Sequence, residues 1–398
     1  MIPKHRPFFD DNELRSVLRS GEDWIWRFEK SFAEITQSKY AISFPYGRSG
    51  LYSLLASHEI HNSDILIPAY TCIVVPNAIM ASGNHPRLVD IRLEDFTMDI
   101  DKLQSALSEN TRVVIPTEMF GYPVDVRRVV DLLEDFKRRD GTLVVEDACL
   151  GLRTRDVGRN SDAVFYSFNV GKQIVTLDGG MVTTNDEDLM TRLREFRSQY
   201  FSHKALNDSK KLLQLWASYF AFRDEIYGIL YELWSTFDTI RVRSKNWSLA
   251  GNGMPKDFAH ALTKTQAKIG LSQLKKIDGI IERRVDIARE YDRRLEELAG
   301  IVKPPLRYGA TYSHYTIRLK HRNDFERRMA LRGIHVGRTF DYSIGEVLRS
   351  SAGGMECEVF ANSLRAANEV VNLPIHPSLS DNEINHVCNT VEEWCIEG

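Results

Sequence analysis

A chain of 398 residues is long enough for two domains around a large core, and 43% hydrophobic with 27% charged residues is ordinary for a globular protein. A net charge of −3, with no basic tail or block, argues against nucleic acid or an anionic membrane as the main partner. No apolar run approaches the roughly 18–20 residues that span a bilayer, and Met1-Ile2-Pro3-Lys4-His5-Arg6-Pro7 lacks the apolar core of a signal peptide. The five cysteines, at 72, 149, 357, 388 and 395, make neither a CxxC pair nor a zinc spacing, so free thiols in the cytoplasm and no metal are expected.

Residues 12–36 carry apolar positions at helical spacing, from Leu14 through Phe28 and Phe32 to Ile35. Tyr40–Phe44 reads as a strand, and Gly47-Arg48-Ser49-Gly50 then opens a helix. Backbone amides, a hydroxyl and a guanidinium at a helix N-terminus suit an anion, although such a turn is often only a turn. Strands follow at Ile65–Pro68, Arg87–Asp90 and Val113–Pro116, with helices at Ile73–Met80 and Val126–Arg138. Short apolar strands alternating with helices imply a mostly parallel sheet covered on both faces, with ligands beyond the carboxyl ends of its strands. Tyr70, Glu118, Asp147 and Lys172 all follow strand ends.

The stretch Thr142–Thr184 carries the chemistry. Leu143-Val144-Val145 ends in Glu146-Asp147, a second strand Ala163–Tyr166 leads to Ser167 and Lys172, and Asp178-Gly179-Gly180 precedes a third, Met181–Thr184. An acid closing a buried strand, with a lone lysine after the next, is how an enzyme holds an aromatic aldehyde cofactor. The lysine forms a Schiff base, and the acid keeps the pyridine nitrogen protonated. Residues 198–255 break the rhythm with an aromatic-rich stretch that includes Trp216, Phe220, Tyr231, Trp234 and Phe237, read as two or so helices packed on the main body or a second subunit. Beyond it, Ala259–Leu298 reads as one long helical segment, followed by strands at Tyr315–Leu319 and Ile334–Val336 and helices at Asp324–Leu331, Ser363–Val370 and Asp381–Cys395. These form a smaller second α/β domain.

Nearly the whole chain resembles the DegT/DnrJ/EryC1/StrS family of sugar aminotransferases. The resemblance runs through Ile2-Pro3…Arg6-Pro7, Gly47-Arg48-Ser49, Pro68-Ala69-Tyr70-Thr71, Phe120-Gly121-Tyr122-Pro123, Glu146-Asp147-Ala148, Ser167…Lys172, Asp178-Gly179-Gly180, Gln266-Ala267 and Leu373-Pro374-Ile375-His376. It implies the pyridoxal-phosphate fold type I, like aspartate aminotransferase. A large cofactor-binding domain would span residues 1–250 and a smaller C-terminal α/β domain residues 251–398, in a homodimer with active sites near the subunit interface. It further implies pyridoxal 5′-phosphate as cofactor, glutamate or glutamine as amino donor and a nucleotide-linked keto sugar as acceptor. Lys172 and Asp147 would be catalytic; Gly47, Arg48, Ser49 and Ser167 would hold the phosphate; His314, His376 and Glu118 are candidates for substrate contact.

The chain also departs from the family. Cys72 stands where an aromatic ring commonly stacks on the cofactor, so Tyr70 is the expected substitute. Leu150 replaces a usual Gln or His, Glu118 a frequent His, and Ala259-His260-Ala261 an Asn-x-Arg whose asparagine reaches the neighbouring subunit's phosphate. These changes leave open elimination chemistry on the same cofactor, or a cofactor-binding regulator without turnover.

Overall fold

The computed structural model describes residues 1–136, 141–203, 205–223, 226–231, 253–351 and 359–397. Within them, β1 (Tyr40–Phe44), β2 (Asp64–Pro68), β3 (His85–Val89), β4 (Thr111–Val114), β5 (Leu143–Asp147), β6 (Ala163–Ser167) and β7 (Gly180–Thr184) form one sheet in the order β1-β7-β6-β5-β4-β2-β3. Every neighbouring pair from β6 to β3 is parallel. Only β7 runs against its two neighbours. The carboxyl ends of β1, β2, β4, β5 and β6 therefore share one edge, where β7 begins at Gly180.

Alternation along these strands sends side chains to two covered faces. On one face, Ile42, Ile67, Val145 and Phe165 pack against α3 (Gly47–Ser57), α4 (Val74–Ala81) and α7 (Glu187–Tyr200). On the other, Leu66, Val114 and Val144 meet α5 (Ile100–Ala106) and α6 (Val126–Asp135), while Val164, Tyr166 and Met181 meet α2 (Trp24–Thr36).

The expected single helix over Ala259–Leu298 is two. Thr263 and Gln266 form a reciprocal capping box that starts α9 (Lys264–Leu274), and a break at Lys275-Lys276 separates it from α10 (Ile277–Arg294). At the break, Lys276 is drawn to Glu13 of α1 (Asp11–Val17) and to the Phe8 carbonyl. Helix α9 lies on α2, where Gly270 has no room for a side chain because Phe28 occupies the space. That contact holds Gln266 against Asp178, just ahead of Gly180.

A second, antiparallel sheet pairs β8 (Tyr315–Arg318) with β9 (Val370–Leu373). The helix expected over Ser363–Val370 is Ala361–Glu369, and the β-branched pair Val370-Val371 begins the strand instead. Ile334–Val336 makes no strand; Ile334 forms a single bridge to Ile2. Helices α10, α11 (Arg322–Leu331), α13 (Ala361–Glu369) and α14 (Asp381–Glu397) cover the small sheet around Ile287, Ile317, Phe325, Val371 and Val387. Helix α12 (Ile344–Ser351) packs Ile344 and Val347 on Ile73 instead. In the aromatic-rich region, α8 (Ala205–Ala221) docks Leu215 on Leu177 and Ile269. Trp234 and Phe237 lie outside the described residues.

Gly270→Ala would force a methyl group into Phe28. We expect a loss of about 1–3 kcal/mol, typical of overpacking, read as a lower midpoint in urea; an unchanged midpoint would refute the close α2–α9 contact.

Candidate active site

The geometry at the carboxyl edge starts from β5. Asp147, its last residue, is 4% exposed and accepts a hydrogen bond from the Cys149 backbone N–H at 3.0 Å. Burial pushes its carboxyl above the ordinary aspartate value, while the Cys149 N–H and thiol and the positive charge of Lys172 pull it back. A buried carboxylate with so little compensation calls for a cationic partner. The same lysine charge is felt at Cys72, Cys149 and His314, so residues of three separate loops lie within electrostatic reach of one amine.

Lys172 sits on a turn after β6, closed by its own N–H donating to the Asn169 carbonyl at 3.1 Å. The turn needs Gly171, whose φ of +94° is in the left-handed region.

An anion cradle lies beside it. No side chain caps the N-terminus of α3. A side chain at Gly47 would meet the Tyr166 carbonyl at 2.9 Å and Ser167 Cβ at 3.2 Å, and one at Gly180 would overlap Tyr46 and Gly47. Two glycines thus allow three backbones to converge where helix amides and the Ser167 hydroxyl are available to a phosphate. The uncapped helix end, Ser167, the buried Asp147 carboxylate and Lys172 fit the phosphate, ring nitrogen and aldehyde of pyridoxal phosphate.

Not every candidate serves this cradle directly. Ser49 is fully buried, and its hydroxyl donates to the Phe258 carbonyl at 2.8 Å. Arg48 leans over the Tyr46 ring at 5.8 Å, and its charge reaches Cys72. Tyr46 in turn donates to Asp257 at 3.0 Å, so residues 257–258 brace the first turn of α3. The Ala259-His260-Ala261 segment is tied to Ser202 by two backbone hydrogen bonds.

Tyr70 corrects an expectation. Its ring is 0% exposed among Phe96, Phe120 and Phe340, and its hydroxyl donates to the Thr339 carbonyl at 3.0 Å. No face is open for stacking, whereas Cys72 two residues on is partly exposed. His376 is likewise spent: it donates from Nε2 to the Pro3 carbonyl at 3.1 Å, and burial lowers its pKa to about 3. His314 stays with Lys172, against His5 at a ring separation of 4.6 Å. Sequence reasoning missed His5 and Cys149. For Cys149 a signal existed, two residues beyond Asp147; for His5 none did.

Glu118 also departs from its expected substrate contact. It is 1% exposed, pressed by Gly151, and faces Glu146 on the opposite face of β5 from Asp147. Glu146 accepts from the Gly158 N–H and the Ser161 hydroxyl, while one buried oxygen of each glutamate finds no N–H or O–H donor. One proton shared between those oxygens satisfies both. Burial first, then the Glu146 charge, holds the Glu118 carboxyl well above the ordinary glutamate value. A raised carboxyl contributes stability below the unfolded-state value and loses it as pH rises through the folded one. Glu118→Gln should therefore flatten the fall of melting temperature with rising pH and melt above wild type in alkaline buffer. An unchanged pH slope would rule out the shared proton.

The DegT/DnrJ/EryC1/StrS aminotransferase family matches residues 11–392. A dTDP-4-dehydro-2,3,6-trideoxy-D-glucose 4-aminotransferase from Saccharopolyspora spinosa is 25% identical, over 99% of this chain and 96% of that protein. GDP-perosamine synthase of Caulobacter vibrioides is 27% identical over 79% and 76%. The structure of a putative sugar aminotransferase from Streptococcus pneumoniae, in its pyridoxamine-phosphate form, superposes with a TM-score of 0.79 over the full length of both chains at 20% identity. The fold is that of the type I pyridoxal-phosphate enzymes. The chain belongs to the DegT/DnrJ/EryC1/StrS aminotransferase family.

Proposed function

We propose that this protein transfers an amino group from glutamate or glutamine to a keto carbon of a nucleotide-linked deoxysugar, for cell-surface polysaccharide or secondary-metabolite synthesis. The observation that carries the reading is the meeting of Lys172, Asp147 and the open end of α3 at one sheet edge, in a chain of this family. The sugar-nucleotide names of the relatives supply the acceptor class.

Bound pyridoxal phosphate supplies an electron-accepting ring that stabilises negative charge on the carbon losing its proton. The chain supplies the rest. Asp147 holds the proton on the ring nitrogen, and its buried setting makes that charge pair strong. The first amides of α3 and the Ser167 hydroxyl hold the phosphate, with the Arg48 charge acting from beside the Tyr46 ring. Lys172 Nζ anchors the aldehyde, then takes the proton from the donor's α-carbon; in the reverse half it gives one to the acceptor carbon. His314 faces the amine in its neutral form, because burial and the charges of Lys4, Lys172 and Arg284 hold its pKa well below the usual value.

The same reading keeps the large domain at 1–250, the small one at 251–398, and a homodimer in the cytoplasm. Among the described residues no helix is long and apolar enough to cross a membrane. Support for a second copy comes from α8, whose Leu213, Trp216 and Phe220 form a stripe 39–72% exposed in the single chain.

Adding pyridoxal phosphate to the purified protein should produce the visible band of a lysine-bound cofactor. Glutamate or glutamine should bleach it, and Lys172→Ala should never show it. Asp147→Asn should keep the band and slow bleaching by about 10²–10³-fold, as when one electrostatic stabiliser is removed. A band that no amino donor disturbs would replace transamination by elimination chemistry or simple binding. Sedimentation at twice the monomer mass should accompany activity on a nucleotide keto sugar; a monomer would remove the homodimer.

A further inference from the structure

The segment Ile2–Pro7 is anchored at both ends. Its start is held by the small domain: the Ile2 N–H donates to the Gly333 carbonyl at 2.8 Å, and the Ile2 and Pro3 carbonyls accept from the His335 N–H and His376. Its end is held by the α9–α10 corner, where Gln273 and Lys276 donate to the Phe8 carbonyl. Between these anchors His5 crosses the active site.

The His5 ring lies across a gap of about one methyl group from the turn that carries Lys172, since a side chain at Gly171 would just touch its ring carbons, at 3.6 and 3.7 Å. Its other neighbour is His314, edge-on at 4.6 Å. Gly171 itself offers the turn no packing, and the turn is closed by one backbone hydrogen bond. An imidazole at that distance bounds how far the turn can shift towards it, and so the positions open to the next residue. Resting on the reading of Lys172 as the reactive amine, we propose that His5 is a positioning residue of the transamination, seating the Asn169–Lys172 turn so that the amine stays aimed between aldehyde and substrate carbon.

The surroundings suit that role. His5 Nδ1 is buried without a hydrogen-bond partner, which a neutral imidazole tolerates and an imidazolium does not. Burial first, then His314, Lys4, Arg284 and His376, hold the ring in the neutral form. His5 therefore adds shape beside Lys172 without adding a second positive charge.

The test compares wild type, His5→Ala, His5→Phe and Lys172→Ala. In protein without cofactor, hydrogen exchange at the Lys172 amide should quicken in His5→Ala and remain near wild type in His5→Phe, which refills the space with a ring. With cofactor, His5→Ala should keep the visible band and bleach about 10- to 100-fold more slowly at saturating donor, the scale of a small misplacement of a reacting group. The donor concentration for half-maximal rate should stay nearly constant, and His5→Phe should recover most of the rate. Wild-type exchange and rate in His5→Ala would overturn the proposal. Equal loss in Ala and Phe variants would overturn it too, in favour of a role for the ring nitrogens. Absence of the band from wild type would instead defeat the assignment of Lys172, and the exchange measurement would still judge the contact.

Discussion

A carboxylate at the closed end of a buried strand is the constraint on which the other features depend. Asp147 is out of water with a backbone N–H and a thiol for company, and burial opposes its ionised form. The Lys172 charge is a partial answer at a distance. A cationic ring nitrogen between the two would complete it. The neighbouring acid, Glu146, faces the other way and settles its own charge with Glu118, Ser161 and Gly158. Successive residues of one strand thereby serve two separate electrostatic purposes.

The cradle is braced from further out. Gln266 and Lys211 both reach Asp178 ahead of Gly179-Gly180, and Asp257 and the Phe258 carbonyl engage Tyr46 and Ser49 at the start of α3. These contacts use up the polar groups nearest the phosphate position while leaving the helix amides uncapped. Rigidity is thus gained without filling the site, as preorganised binding of an anion requires.

How much could be read from the residues followed the range of the interactions involved. The alternating strands and helices, the parallel sheet and the placing of Asp147 and Lys172 at strand ends come from local periodicity, and they were legible. Whether Tyr70 or Cys72 meets the ring depends on three phenylalanines from distant segments that enclose Tyr70, and nothing near residue 70 announces them. Glu118 looked like a substrate contact because its strand end faces the pocket edge; its partner Glu146 decides otherwise. His376 is claimed by Pro3. The two-helix corner at Lys275-Lys276 depends on Glu13 and the Phe8 carbonyl, so a continuous amphipathic pattern concealed it. Family resemblance identified the chemistry without indicating which side chains had been diverted to packing.

The crossing of Ile2–Pro7 through the active site also bears on how the molecule is built. Pro3 and His376, joined by a hydrogen bond, are 373 residues apart in the chain. Contacts of such separation form late, because the entropy of closing so long a loop must be met before they repay it. The large sheet with Asp147 and Lys172 contains only residues 40–184 and can condense while the chain is still being made. Pro3, however, has no hydrogen-bond partner until His376, beyond β9, has emerged from the ribosome. Fixing the N-terminal segment is then a closing event of biosynthesis, so a partly made chain has its large sheet in place before the stretch of chain that crosses beside it is tied down.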